Sequence, residues 1–321
     1  MDRVSVQAVQ SPFASLILSN LPSFGALEGG SAVAMFFQGI ATLQAWNYYR
    51  SFPKDPLFVK TLVAVVYVLD LFHSILFIQV TYHYTINGLV GVITKGDVLG
   101  LSKIPWTLEA SLIVVAAILI TVEAYFCFRI LRITGSLALA LGCFGLSTVR
   151  FGINIALTIT STRDGTSFVV NTFDFKWQTI TELAVGTTTD ICVASCICIG
   201  LLRCRTGFRH TDHIVVRLVM YTLGNGIAAS IMSVGALIAY VTKPTQYVWI
   251  AFFGVISKIF SNSLLASLNQ RGAEQLAPAP QTFGAVSTHL NFSSQHGHET
   301  LELDFAHMRT VKPKVPDDAL A

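Results

Sequence analysis

Apolar residues run along this chain in long blocks, nearly free of charge and separated by short polar connections. A helix that crosses a hydrocarbon core needs about 20 apolar residues. Seven blocks reach that length: Gly25 to Tyr48, Phe58 to Tyr82, Trp106 to Leu131, Ser136 to Thr160, Thr179 to Leu202, Ile214 to Val241 and Tyr247 to Leu268. The blocks are apolar nearly all round, whereas the helices of a soluble bundle carry a polar face. The pattern predicts an all-α polytopic membrane protein with seven transmembrane helices in a receptor-like bundle over residues 25–271. Residues 1–24 read as an irregular extracellular segment, because the apolar patch Phe13 to Leu18 is broken by Ser19, Asn20 and Pro22. Residues 272–321, rich in Ala, Pro, Ser, Gln and His, read as a disordered cytoplasmic tail.

Local punctuation supports these boundaries. Asp55 followed by Pro56 reads as an N-cap with proline at the first helical position, and Pro105 and Asp212 mark the starts of the third and sixth spans. Arg132 to Gly135, and the few residues around Lys243 and Pro244, are connections short enough to force antiparallel neighbours. The longer connection Ser161 to Gln178 holds a β-branched and aromatic run, Ser167 to Phe175, expected to form a small hairpin or lid.

Composition agrees with the pattern. Charged residues make up 12% and apolar residues 53% of the 321 positions, against roughly 25% and 45–50% in soluble domains. The formal net charge of +3 does not suggest nucleic acid as a partner; the bilayer is the partner expected. Position matters more than sum, because Lys and Arg accumulate on the cytoplasmic side. One set of alternate loops holds Arg50, Lys54, Lys60, Arg129, Arg132, Arg203, Arg205, Arg209, Arg217, Arg271, Arg309, Lys312 and Lys314, and the other only Arg3, Lys95, Lys103, Arg163, Lys176 and Lys243. Thirteen against six predicts the N-terminus outside and the C-terminus in the cytoplasm. Trp106, Trp177 and Trp249 would then ring the outer interface, and Trp46, Tyr48 and Tyr49 the inner one. The sequon Asn291-Phe292-Ser293 would face the cytoplasm and stay unmodified.

Four charges fall where charge is expensive. Asp70, Asp190 and Lys258 each lie roughly 16–18 Å into their spans, and Arg150 is close to the same level. Insertion scales put each at about 2.5–3.5 kcal/mol, so they should face inward and pair. Lys258 with Asp70, and Arg150 with Asp190, are the expected pairs, with Glu123 as an alternative partner for Arg150. His73 lies one turn from Asp70, and Asn225 and Asn262 add polar groups. These groups either fix which helices meet or line a polar cavity for a ligand or a proton. Glu28, Glu109 and Glu182 lie near the outer ends and either shape an entrance for cations or, the reading preferred, are solvated acids at helix starts.

No enzyme chemistry stands out. Cys192, Cys196 and Cys198 lack a CxxC pair and read as packing residues, His289, His296 and His298 lie in the polar tail, and only His73 falls within a span. No catalytic residue, cofactor or metal is expected. Retinal on Lys258 is not expected either, because Gly254 stands one turn before it where a carboxylate would serve. The Asp-Arg-Tyr and Asn-Pro-x-x-Tyr signatures of classical G-protein-coupled receptors are replaced by Phe128-Arg129-Ile130 and Asn262-Ser263-Leu264-Leu265-Ala266.

The strings Pro53-Lys54-Asp55-Pro56, Ile104-Pro105-Trp106, Arg205 to Asp212, Ser257-Lys258 and Asn262 to Asn269 resemble a family of basidiomycete fungal membrane proteins carrying a domain of unknown function. The resemblance covers nearly all of Gly25 to Arg271. It implies a seven-helix fold, a fungal source and a receptor-like topology, and no activity. Three readings stand open: receptor-like sensing of a small ligand at the plasma membrane, a transporter or proton-coupled carrier using the midplane charges, and a lipid-modifying enzyme, which the missing nucleophile and metal sets disfavour. In the first, Arg203, Arg205, Arg209 and Arg217 would meet a cytoplasmic effector or simply anchor to anionic lipid.

Overall fold

The computed structural model describes residues 12–95, 103–163, 176–203, 209–243 and 246–276. The expected lid at 167–175, the sequon, the tail from 277 onward and Arg205 lie outside the described residues, as do the side chains of Arg209, Arg217 and Asn225. Among the described residues, seven helices follow one another. They are α1 (Pro12–Ser51), α2 (Leu57–Tyr82, a π-helical turn His83–Asn87, then Gly88–Lys95), α3 (Trp106–Thr134), α4 (Leu137–Arg163), α5 (Lys176–Arg203), α6 (Arg209–Thr242) and α7 (Val248–Leu276).

Several helices outrun their expected ends: α6 begins at Arg209, ahead of Asp212, and α7 runs to Leu276, so residues 272–276 of the expected tail are helical. The two largest extensions are those of α1 and α2. α1 begins at Pro12, so residues 12–24 are helical rather than irregular. Pro22 sits inside it, and Phe24 and Leu27 join the core, which holds this end of the helix against the bundle. α2 continues past Tyr82 although Thr81, His83, Thr85 and Asn87 dilute its hydropathy. The Thr81 hydroxyl donates to Phe77 O (3.0 Å) and the Thr85 hydroxyl to Thr81 O (2.8 Å), so these side chains are satisfied within the helix. His83 therefore lies on the helix as well as His73.

Five helices contain stretches long and apolar enough to cross a membrane: Leu57–Asn87, Trp106–Thr134, Leu137–Ser161, Lys176–Arg203 and Val248–Gln270. The other two differ from the expectation of seven equivalent spans. α1 carries Glu28, Gln38 and Gln44 among small residues, and the described apolar part of α6 is shorter, Gly226–Thr242. Phe36, Val68, Leu141, Ile191 and Ile238 are exposed on the outer faces, an arrangement suited to hydrocarbon and not to water.

Each helix packs against the next in sequence and α7 returns to α1, with further contacts of α3 to α5 and α7, and of α2 to α7. α7 is the inner element: nearly every side chain from Ile250 to Leu268 is buried. Two asparagines fix how it meets α1. Asn262 Nδ2 donates to Phe37 O (3.1 Å) and Asn269 Nδ2 to Gln44 O (2.8 Å). A step of seven residues on α7 matches a step of seven on α1 in the same direction, so the two helices run parallel.

The connections are built from the motif residues. Pro56, not Asp55, occupies the N-cap of α2, and Asp55 Oδ2 instead accepts the Tyr48 hydroxyl (2.9 Å). Tyr48 is thereby buried, not interfacial, whereas Tyr49 and Trp46 are exposed. Trp106 and Trp177 are exposed at their helix starts, but Trp249 packs inward, edge-on to Tyr240 at 5.6 Å. Gly135 closes α3 with φ 66°, the left-handed geometry of a C-cap, and its N–H donates to Leu131 O (2.9 Å).

Candidate functional site

Two buried polar clusters occupy opposite faces of α7. The first is centred on Lys258. α2 carries Asp70, His73 and Ser74 on one face, because residues three and four apart stack on a helix, and α1 supplies Gln38. Lys258 Nζ donates to Asp70 Oδ1 (2.9 Å), the Asp70 carbonyl (2.6 Å) and Gln38 Oε1 (2.9 Å), with Ser74 Oγ at 2.6 Å. The Ser74 hydroxyl in turn reaches Gln38 Oε1 (2.9 Å) and Asp70 O (3.0 Å). Lys258 and Asp70 are wholly buried, one charge of each sign, and Ser261 is buried on the same helix as Lys258.

His73 borders this cluster. Its Nδ1 lies 3.1 Å from Ser257 Oγ, and its ring stacks on Phe77 with centroids 5.8 Å apart. The Phe77 ring fills the notch at Gly254, where any Cβ would overlap it. The glycine one turn before Lys258 thus lets α2 and α7 come close enough for the ion pair to form.

The second cluster is centred on Arg150 of α4. Its Nη1 donates to Glu123 Oε1 of α3 (2.9 Å) and to Asp190 Oδ1 of α5 (3.2 Å), while its Nε lies 3.6 Å from Glu182 Oε1 of α5. All four side chains are at most 5% exposed. The guanidinium lies flat on α5 at Gly186, where a Cβ would come within 2.8 Å of it, and faces the Phe260 ring at 5.9 Å. One guanidinium is thus shared by three acidic side chains, more acids than it can pair with individually.

The four midplane charges therefore do not form one layer of two equal pairs. Glu123 and Asp190 share Arg150 rather than competing for it. Glu182, expected as a solvated acid, is buried because α5 begins at Lys176 and carries it six residues inward, within reach of the long Arg150 side chain. Glu28 is exposed and Glu109 half-buried. Arg129, counted among the loop charges, turns inward and donates to Ser267 Oγ of α7 (2.8 Å). Arg203 is exposed at the end of α5. Sequence reasoning missed Gln38, Ser74, Ser257 and Glu182. Gln38 had a signal, a lone amide after Met35-Phe36-Phe37, but the serines did not, since serine is common on packed membrane helices.

Beside the Arg150 cluster runs a cavity of about 50 Å³ between α3, α5, α6 and α7, where a single water needs roughly 10–15 Å³. Glu123, Asp190 and Phe260 line one end and Arg129, Ser263 and Ser267 the other, with Val193, Ala194, Ile197, Ala229 and Ile259 as apolar walls. Gly226 brings α6 onto Ala194, where a Cβ would sit only 2.7 Å away. Asp190 Oδ2 has no hydrogen-bond partner among the described residues.

Fold and site together define an all-α, multi-pass integral membrane protein with charged groups buried inside its helical bundle. The sequence model described as "Family of unknown function (DUF6534)" matches residues 186–273. The match takes in the strings Arg205 to Asp212 and Asn262 to Asn269 together with Asp190 and Lys258, while Pro53 to Pro56 and Ile104 to Trp106 lie before it. No curated protein and no solved structure matches the chain.

Proposed function

We propose that this chain is a seven-span, receptor-like protein of a fungal plasma membrane that binds a small ligand inside its bundle, without catalytic chemistry. The observation that carries the reading is the Arg150 cluster, one guanidinium shared by three acids, two of which line an adjoining cavity. Buried charge that serves only to hold helices together needs no adjoining space, and Lys258 is packed in that way. Glu123 and Asp190, both held by Arg150, line that space with apolar walls between α3, α5, α6 and α7, the mixture of surfaces usual in a small-molecule pocket. The wholly enclosed Lys258 ammonium supports the absence of retinal from this reading. An effector would meet the Arg203 end of α5 and the basic residues that follow it.

The parallel run of α1 and α7 supports an odd number of crossings, and the loop charges support the N-terminus outside. Expression in a glycosylating cell tests the orientation: Asn291 stays bare, while a sequon introduced between 164 and 175 is glycosylated. Glycan on Asn291 would reverse the topology. For binding, purified protein is heated with a panel of small amines, acids, alcohols and sterols. At least one compound should raise Tm, and the rise should vanish in Ala229→Phe, which fills the cavity. The reading fails if none does so while vesicles containing the protein move a solute.

A further inference from the structure

We infer that a lipid-facing groove between α1 and α6, floored by α7, holds one acyl chain of a bilayer phospholipid. The groove is separate from the Arg150 cavity, and the inference rests only on the chain's being a multi-pass membrane protein.

α1 and α6 each pack along α7, and between them lies a groove of about 270 Å³. α7 gives it Val248, Ala251, Phe252 and Val255, and α1 gives it Ala26, Gly29, Gly30 and Val33. Both sets follow the spacing i, i+3, i+4, i+7, one face of a helix over two turns, so the groove runs roughly 10 Å along the helices. Met232 of α6 is the remaining wall. Gly30 sets the depth: a Cβ there would lie 2.8 Å from Ala251 Cβ, so α1 rests directly on α7. Ala251 and Val255 are buried at the floor, whereas Gly29 and Val33 are exposed at the rim.

The lining and the surroundings decide what fills this space. None of the lining residues has a polar side chain, and a water needs about two to four polar partners to settle. Left empty, the walls would lose van der Waals contacts. Val33 at the rim and Ile231 beside Met232 belong to the exposed apolar surface that faces hydrocarbon, so the groove opens onto lipid chains. A second helix, roughly 10–12 Å across, is too thick to enter it. Val248 opens α7 and Val255 stands three residues before Lys258, near mid-depth, so the groove lies within a single leaflet, as one lipid does. An acyl chain brings nothing polar and bends to uneven walls, where Gly29 stands near Val33 and Ala251 beside Phe252. The rigid ring plate of a sterol does not.

The test places the purified full chain in phosphatidylcholine vesicles containing a phosphatidylcholine with a diazirine midway along one acyl chain. After irradiation, labelled peptides are mapped by mass spectrometry. Labelling should concentrate on residues 26–33 and 248–255, above that at the exposed Val68 of α2 and Leu141 of α4. A Cβ at Gly29 would meet nothing within 4 Å, so Gly29→Leu fills the groove without pushing on the bundle. That variant should melt like the wild type and lose groove labelling down to the level at Val68. Val33→Trp, at the rim, serves as a second probe should the first variant fold poorly. Labelling spread evenly over the lipid-facing surface, or unchanged in a folded variant, would overturn the assignment. So would stronger labelling of the groove by a diazirine-bearing sterol, or crosslinking of the groove segments between two copies of the chain. None of these outcomes bears on the Arg150 cavity.

Discussion

The Lys258 and Arg150 clusters are built from the same materials and put to different uses. Around Lys258, one cation meets one carboxylate, two neutral side-chain oxygens and a backbone carbonyl, all within 2.9 Å and inside close packing. Around Arg150, one cation is divided among three carboxylates at 2.9, 3.2 and 3.6 Å, beside open space. A buried pair stabilises only when its geometry satisfies both partners. The first cluster satisfies its cation, with one carboxylate oxygen and three further acceptors around Lys258 Nζ, and ties α1, α2 and α7 together. The second divides one cation among three acids, and it sits beside open space.

The largest expected effect tests the first half of this contrast. Lys258→Ala leaves the Asp70 carboxylate buried with its cation gone, at a cost of about 3–5 kcal/mol. Thermal unfolding in detergent should show a large drop in Tm or a loss of folded protein. Replacing both partners, Lys258→Met with Asp70→Leu, should recover most of the loss. If the double variant is as damaged as the single, the pair does more than join helices.

A middle-sized effect probes how Arg150 is held. Gly186→Val places side-chain atoms where the guanidinium now lies, 2.8 Å from a Cβ at that position. Overpacking of this kind costs about 1–3 kcal/mol. The displaced guanidinium would also lose its reach to Glu123 on one side and Asp190 on the other. Tm should fall, and the rise in Tm that a bound compound produces should change with it. A Tm fall with unchanged affinity would separate the arginine from the proposed site.

How much of this was legible in the sequence follows from what each residue announces. The helices were legible because charge-free blocks of bilayer length have few other fates. Lys258 and Asp70 were legible as a pair because each stands alone at mid-depth in an apolar run, and a ring of helices in sequence order brings α2 near α7. The start of α1 was not legible, since Ser19, Asn20 and Pro22 look like a break, and only tertiary packing at Phe24 and Leu27 offsets that signal. Glu182 was not legible for a different reason. Its depth depends on where α5 begins, and a shift from Thr179 to Lys176, with the reach of arginine added, turns a surface acid into a buried one. The cavity has no linear signature, since its lining comes from four helices.

The smallest expected effect decides the comparison. Glu182→Gln preserves the shape of the side chain and removes one of the three acids that share Arg150. Glu182 Oε1 lies 3.6 Å from Arg150 Nε, the longest of the three contacts, and Glu123 and Asp190 remain to hold Nη1. The loss of attraction to Arg150 is then opposed by the relief of repulsion among the acids, so stability should change by less than about 1 kcal/mol in either direction. Asp70→Asn, the corresponding change at Lys258, has no repulsion to relieve and should cost about 3 kcal/mol or more. Paired melting curves of the two variants measure the difference directly. Equal losses would mean that Arg150 uses all of its acids as Lys258 uses its one, and both clusters would then be fastenings between helices. A near-zero change at Glu182 beside a large one at Asp70 would mean that the Arg150 cluster is free to trade charge with a ligand.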